Sequence, residues 1–194
     1  MEFKAIKMDG LGNDFVIIDQ RKTKINLSRE NIIQICSRDF IGCDQLIYIN
    51  KSEDNKDKLT FFNSDGSTSG ACGNGTRCVA KILSKEYGKN EINLQTSSGN
   101  LHSLILNENT VETNIGAATM EWNKIPLQKN LNTEDLRITI SDLGGNKFIG
   151  GIAVNVGNPH IIFFVENNKK FNIEKIGPEI EKHEYFPERC NVTL

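Results

Sequence analysis

Short apolar runs bounded by Gly, Asn, Asp and Ser dominate this chain, and they predict strands more often than helices. Phe3 to Met8 and Phe15 to Asp19 are the first two runs, separated by the turn-rich Asp9-Gly10-Leu11-Gly12-Asn13-Asp14. Ile41 to Ile49 enters an apolar strand headed by Gln45, and Leu59 to Phe62 is a strand that feeds Asn63. Lys51 to Lys58, charged and without glycine, predicts a solvated connection. Strands at Ile92 to Thr96, Leu101 to Leu106 and Thr110 to Asn114, parted by Ser97-Ser98-Gly99-Asn100 and Asn107-Glu108-Asn109, predict a β-meander. Helical spacing occurs in three places. Ser28 suits the N-cap of a helix to about Arg38 with Ile32, Ile35 and Cys36 inward. Cys78, Val79, Ile82 and Leu83 recur at helical spacing after Gly75, with Gly88 as the stop signal. Phe171 to His183 predicts a third helix, broken by Gly177-Pro178.

Gly116 to Asn123 is the expected crossing between two domains, residues 1–115 and 116–194. In the second, Leu136 to Ile140 and Phe148 to Val156 predict a strand pair around Asp142-Leu143-Gly144-Gly145-Asn146. Gly157-Asn158-Pro159 interrupts, and His160 to Val165 resumes as a buried strand.

Composition changes this picture little. With 38% hydrophobic residues, 25% charged residues and a net charge of −2, nothing pulls the chain toward nucleic acid. No stretch approaches the roughly 18 uninterrupted apolar residues of a membrane span. Met1-Glu2-Phe3-Lys4 lacks a signal peptide's apolar core, so cytoplasm is the expected location. Five cysteines without a disulfide rhythm suit a reducing compartment in which a thiol stays free.

The candidate chemistry lies between Asn63 and Cys78, where a Gly, Ser and Asn-rich loop delivers Cys72 to a helix start. Free N–H groups and the helix dipole favour a thiolate there, below a free cysteine's pKa of about 8.5, and favour a bound carboxylate equally. Gly73 and Gly75 clear side chains from that backbone, and Asn74 adds a donor and an acceptor, a candidate anion nest. A buried structural cysteine is the plainer alternative. It would not need flanking glycines and so polar an approach. A Walker loop fails because Thr76-Arg77 follows Gly75, and a dinucleotide fingerprint fails on the Gly70, Gly73, Gly75 spacing. Zinc is disfavoured by the absence of C-x-x-C and the three histidines. Disulfide exchange between Cys72 and Cys78 does not match an exchange motif either.

The run Asn63-x-Asp65-Gly66-Ser67-x4-Cys72-Gly73-Asn74-Gly75-x-Arg77 resembles the signature of the diaminopimelate epimerases. The likeness extends to Gly10-Leu11-Gly12-Asn13-Asp14-Phe15, Gly42-Cys43-Asp44-Gln45-Leu46, Gly157-Asn158-Pro159-His160 and Phe186-Pro187-Glu188-Arg189. It implies an α/β (α+β) fold, a curved, mostly antiparallel sheet wrapped around the helix after Cys72, with a second, pseudo-symmetric domain. It implies interconversion of LL- and meso-2,6-diaminopimelate, for lysine and peptidoglycan precursors, without pyridoxal phosphate, metal or other cofactor. Cys72 would be an acid/base, Gly73 and Asn74 would bind the reacting carboxylate, and His160 would tune the thiols. Asn13, Gln45, Asn63, Asn158 and Asn191 would select the substrate. Partners would be this small molecule, with no nucleic acid or membrane, and a homodimer is left open. A proline racemase or an isomerase of small carboxylic acids is the near rival, disfavoured by the Asn-rich set.

Gly12-Asn13 and Gly157-Asn158 each precede an apolar strand, 145 residues apart. A second thiol loop at that offset would fall near position 217, past Leu194. The resemblance places a Glu-Arg segment and a second Cys-Gly loop there. The expectation is therefore a second domain that is incomplete, with a non-catalytic remnant or fragment as the alternative to an active epimerase.

Overall fold

The first two strands form a tighter hairpin than their pattern predicts. In the computed structural model, which describes residues 2–194, β1 (Ile6–Gly10) and β2 (Asn13–Asp19) pair antiparallel with Gly10 opposite Asn13. Only Leu11 and Gly12 remain as the turn, at φ 56° and 84°, the positive values that a two-residue hairpin turn needs. Asn13, expected in a loop, therefore heads a strand.

A capping box starts α1 (Arg29–Cys36): Asn31 N donates to Ser28 Oγ at 3.2 Å and Ser28 N donates to Asn31 Oδ1. The helix stops two residues short of Arg38, because Ser37 turns extended and Gly42 N and Cys43 N bond back to Ile35 O and Cys36 O. The chain then enters β3 (Gln45–Lys51), parallel to β2 with Phe15 opposite Gln45. β4 (Asp57–Asn63) returns antiparallel, with Gln45 opposite Asn63. The expected solvated connection is a turn from Ser52 to Lys56, with strand only at Lys51, Asp57 and Lys58. Asp57 within it is buried, ion-paired with Lys51 at 2.9 Å and accepting from Tyr87 Oη at 2.7 Å.

β5 (Thr68–Ser69) folds back on β4, and α2 (Gly73–Tyr87) follows, closed by Gly88 in the left-handed region at φ 64°. β6 (Glu91–Thr96), β7 (Gly99–Asn107) and β8 (Thr110–Asn114) form the expected meander. The strand order is β1-β2-β3-β4-β6-β7-β8, with β5 beside β4. Laid flat at about 4.8 Å per strand, this sheet would be roughly 30 Å wide, yet α2, about 10 Å across, packs against β1 and β8 at its two edges. The sheet must curl around the helix. Phe15, Ile17, Ile47, Ile49, Leu59 and Phe61 face inward onto Val79 and Leu83. Val16, Ile18, Leu46 and Tyr48 face outward under Ile32 and Ile35 of α1.

The contact is closest at Gly75. A Cβ there would lie 2.7 Å from Ile47 Cδ1, 3.2 Å from Phe61 and 3.4 Å from Phe15. At Gly73 the nearest atoms would be 3.6 and 3.8 Å away, ordinary contact.

Residues up to Ile115 form one compact unit, and Gly116 to Leu194 another. The second begins with β9 (Ile138–Ser141) and β10 (Lys147–Gly150), an antiparallel pair. The strand predicted from Phe148 to Val156 is two strands, because Gly151 at φ 110° breaks it and β11 (Ile152–Asn155) joins another sheet. There β12 (Pro159–Ile162) pairs antiparallel with β11 and parallel with β13 (Asn191–Thr193). Between β12 and β13 lies α3 (Ile173–Glu181), capped by Asn172. Pro178 sits inside α3 instead of breaking it: the lost N–H costs one bond, and burial of Ile176 and Ile180 in the second core offsets this. No described helix is long and apolar enough to cross a membrane.

The order hairpin, helix, parallel strand occurs in both units: β1-β2-α1-β3 and β11-β12-α3-β13. Phe15 opposite Gln45 corresponds to His160 opposite Asn191. The echo in sequence is an echo in topology.

Gly75→Ala should destabilise the chain by about 1–3 kcal/mol, the usual cost of overpacking a core, while Gly73→Ala should change it by less than about 1 kcal/mol. Urea unfolding midpoints of the two variants test the difference.

Candidate active site

Cys72 is the N-cap of α2, with extended backbone at φ −149° and ψ 105°. Its Sγ accepts from Gly75 N at 3.4 Å, and its carbonyl accepts from Thr76 N and Thr76 Oγ1, both at 2.8 Å. The thiol is half-buried against the first core. Burial pushes the Cys72 thiol up, against the pull of the Gly75 and Asn74 N–H groups and of Arg77, and Asp44 adds to the rise. The expected preference for thiolate is therefore corrected: at this helix start desolvation outweighs the first-turn amides. The nest is corrected at one position as well. Gly75 is glycine because the sheet presses on it, and only Gly73 has room around it.

Asn74, in the first turn of α2, donates through Nδ2 to Asn13 Oδ1 at 2.8 Å and accepts from the Arg77 guanidinium at Oδ1. Asn13 donates in turn through Nδ2 to Asp44 Oδ2 at 2.9 Å. That oxygen also accepts from Asp14 N at 3.0 Å, and Asp44 Oδ1 accepts from Arg38 at 2.6 Å. Arg38 grips both oxygens of Asp14, at 2.6 and 2.9 Å, and Lys7 adds an ion pair at 2.7 Å. Hydrogen bonding from Arg38, with help from Lys7, holds the Asp14 carboxyl well below the usual range. A second polar pair stands on the neighbouring strands. Gln45 Nε2 donates to Asn63 Oδ1 at 2.9 Å, and Asn63 Nδ2 donates to Ser67 Oγ at 3.0 Å.

In the first unit the structure thus joins Asn13 to Asn74, beside Gly73 and Cys72, and joins Gln45 to Asn63 one strand pair away. The residues expected in the second unit form their own group. His160 Nε2 lies 2.9 Å from Asn158 Oδ1, His160 stands opposite Asn191, and Asn191 Nδ2 donates to Pro159 O at 3.2 Å. Burial lowers the His160 pKa, so its imidazole is neutral at pH 7.

Sequence reasoning passed over Asp44, Arg77, Arg38 and Asp14. Asp14, Asp44 and Arg77 stand inside the motifs quoted above, Asp14 next to Asn13, Asp44 next to Gln45 and Arg77 three residues after Asn74. Arg38 carries no signal at all, since it reaches Asp14 only after the helix has ended early. Cys78 is buried in the core and its thiol is pushed up to about 11 by burial, which removes it as an exchange partner for Cys72. Cys36 and Cys43 face each other in the other core layer, as expected of packing cysteines.

A family model described as diaminopimelate epimerase matches residues 5–121. A diaminopimelate epimerase of Pelagibacter ubique is 62% identical over the whole chain, which covers 71% of that protein. One of Acidiphilium cryptum is 38% identical over 96% of the chain, covering 66% of its length, and one of Rhodospirillum centenum is 35% identical, covered to 65%. The chain thus spans about two thirds of the length of such relatives. Among solved structures, a predicted epimerase from Pseudomonas aeruginosa aligns with TM-score 0.56 at 14% identity, over 92% of this chain and 67% of that one. A hydroxyproline epimerase from Agrobacterium vitis aligns at TM-score 0.56 and 10% identity, over 92% and 54%. These two show that the curled sheet around a helix is shared. The motifs and the identity across the full 194 residues lead to one conclusion: this chain belongs to the diaminopimelate epimerase family.

Proposed function

We propose that this chain acts in the isomerisation of 2,6-diaminopimelate between its LL and meso forms, with Cys72 moving the proton at one face of the α-carbon. The observation that carries this is Cys72 at the first turn of α2, beside the Asn13 and Asn74 amides. A carboxylate accepting from the Gly73 and Asn74 N–H groups would sit at the positive end of the helix. The same donors would stabilise the charge that builds up on that carboxylate as the α-proton leaves. Because burial raises its pKa, Cys72 rests as the thiol, so it is poised to return a proton, and it removes one only after ionising. Gln45 and Asn63 offer polar contacts to the rest of the substrate. Asn158 and Asn191 would serve as binding residues and His160 as a neutral polar group of the reaction, on the strength of the family signature. The five free cysteines suit a reducing compartment, the cytoplasm.

The test is α-proton exchange. LL-diaminopimelate incubated with the purified 194-residue chain in deuterated water should gain deuterium at the α-carbon, and Cys72→Ala should lower the rate by at least about a hundredfold, the scale of general acid–base catalysis. Exchange that survives the substitution, or none from a chain shown to be folded, overturns the proposal. A companion measurement follows from the thiol's raised pKa. Alkylation of Cys72 by iodoacetamide should still be climbing above pH 8.5, about where a free thiol reaches its midpoint, because the thiolate forms only beyond the ordinary range.

A further inference from the structure

The Asn13 and Asn74 amides form a hydrogen-bonded row whose two ends are charged. Asp44 stands at one end and accepts from Asn13; Arg77 stands at the other and donates to Asn74. An Asn amide presents oxygen or nitrogen according to a half-turn of its side chain, and a row of amides between neutral groups can run in either sense. Here it cannot. An ionised carboxylate can only accept and a guanidinium can only donate, so the row runs from Arg77 through Asn74 and Asn13 to Asp44.

We propose that Asp44 and Arg77 are positioning residues that set the sense of both amides and so fix which hydrogens this face presents to a ligand carboxylate. With the sense set, each Nδ2 has used one hydrogen in the row and keeps one, and Asn74 follows Gly73 directly at the helix start. Reversal would turn amide oxygens toward the same place, and those repel an anion. Asp44 is itself well held: Arg38 and the Asp14 N–H bond its two oxygens, and the Asp44 N–H bonds back to Asp14 O and Asp14 Oδ1, each at 2.9 Å. The carboxylate end of the row is thereby locked to β2 and to the segment after α1. Arg77 is tied within α2, one turn after Asn74. The assignment rests on the carboxylate-binding role proposed for this site, but the sense of the amides can be read without any ligand.

The experiment uses side-chain amide resonances of Asn13 and Asn74 in the 15N-labelled 194-residue chain, free and titrated with LL-2,6-diaminopimelate. Asp44→Asn and Arg77→Gln each replace a one-way end with a group that can both donate and accept. Each variant should shift the amide it does not touch, Asn74 for Asp44→Asn and Asn13 for Arg77→Gln, and should weaken the ligand by about tenfold, the effect of misdirecting a charge-assisted hydrogen bond. Arg77→Lys keeps a donor-only end and should bind within about threefold of the parent. If Asp44→Asn does not fold, the pair at position 77 decides alone. Shifts confined to the neighbouring amide, or equal loss of affinity in Arg77→Gln and Arg77→Lys, overturn the proposal. Should the parent chain bind no diaminopimelate, the functional reading fails while the remote amide shifts still decide the row.

Discussion

The approach of α2 onto the sheet at Gly75 is the constraint from which the rest of the first unit follows. With Ile47 Cδ1 only 2.7 Å from where a Cβ would be, the helix start has one height above β2, β3 and β4. The residues just before and within that turn, Cys72 to Asn74, then fall beside the ends of the same strands. Those ends carry Asn13, where β2 begins, Gln45, where β3 begins, and Asn63, where β4 finishes. A side chain at a strand end has core on one side only, so polar groups are tolerated there. Roughly 22 Å away along a helix of 15 residues, Arg21 binds Asp19, Glu86 and Tyr87 and fixes the other end. The helix is clamped at both termini, and its first turn is set by contact rather than by a loop.

That clamp also explains the state of the thiol. Packing the helix start into the curl of the sheet removes water from Cys72, and loss of hydration disfavours the thiolate. The first-turn N–H groups and Arg77 act in the other direction but do not compensate. A thiol held in its protonated form next to donors aimed at a carboxylate suits reprotonation of a carbanion. The same burial that protects the protonated state makes the donors stronger, since they act in a medium less polar than water.

Much of this was legible in the chain, and the limits have physical causes. The helix after Cys72 was readable because its apolar spacing, its glycine stop and its cap all agree, and Ser28 announced α1 in the same way. The Leu11-Gly12 turn was overestimated because Asn13 and Asp14 look like turn residues, yet their side chains are spoken for by Asn74, Asp44 and Arg38 across the sheet. Asp57 escapes a local reading because, besides Lys51, its partners Arg21 and Tyr87 lie 36 residues before and 30 after. Pro178 misled because a proline's cost is local and the gain from burying Ile176 and Ile180 is tertiary. The thiolate expectation failed for the same reason. A helix start is visible in sequence, whereas the degree of burial that outweighs it is not.

The echo between units shows how one scaffold accommodates two different environments. Ser28 and Asn172 cap the two crossover helices, and Phe15 and His160 occupy the same place on β2 and β12, opposite Gln45 and Asn191. Phe15 is fully buried, because the first turn of α2 rests on it through Gly75. His160 is only half-buried and bonds Asn158, two residues earlier. An imidazole in place of Phe15 would lose water without gaining a partner, since Ile47 and Phe61 surround that point on the sheet. A phenylalanine in place of His160 would leave Asn158 Oδ1 without its bond. The topology is therefore common to both units, and the chemistry at this one register position follows from what each strand end must satisfy.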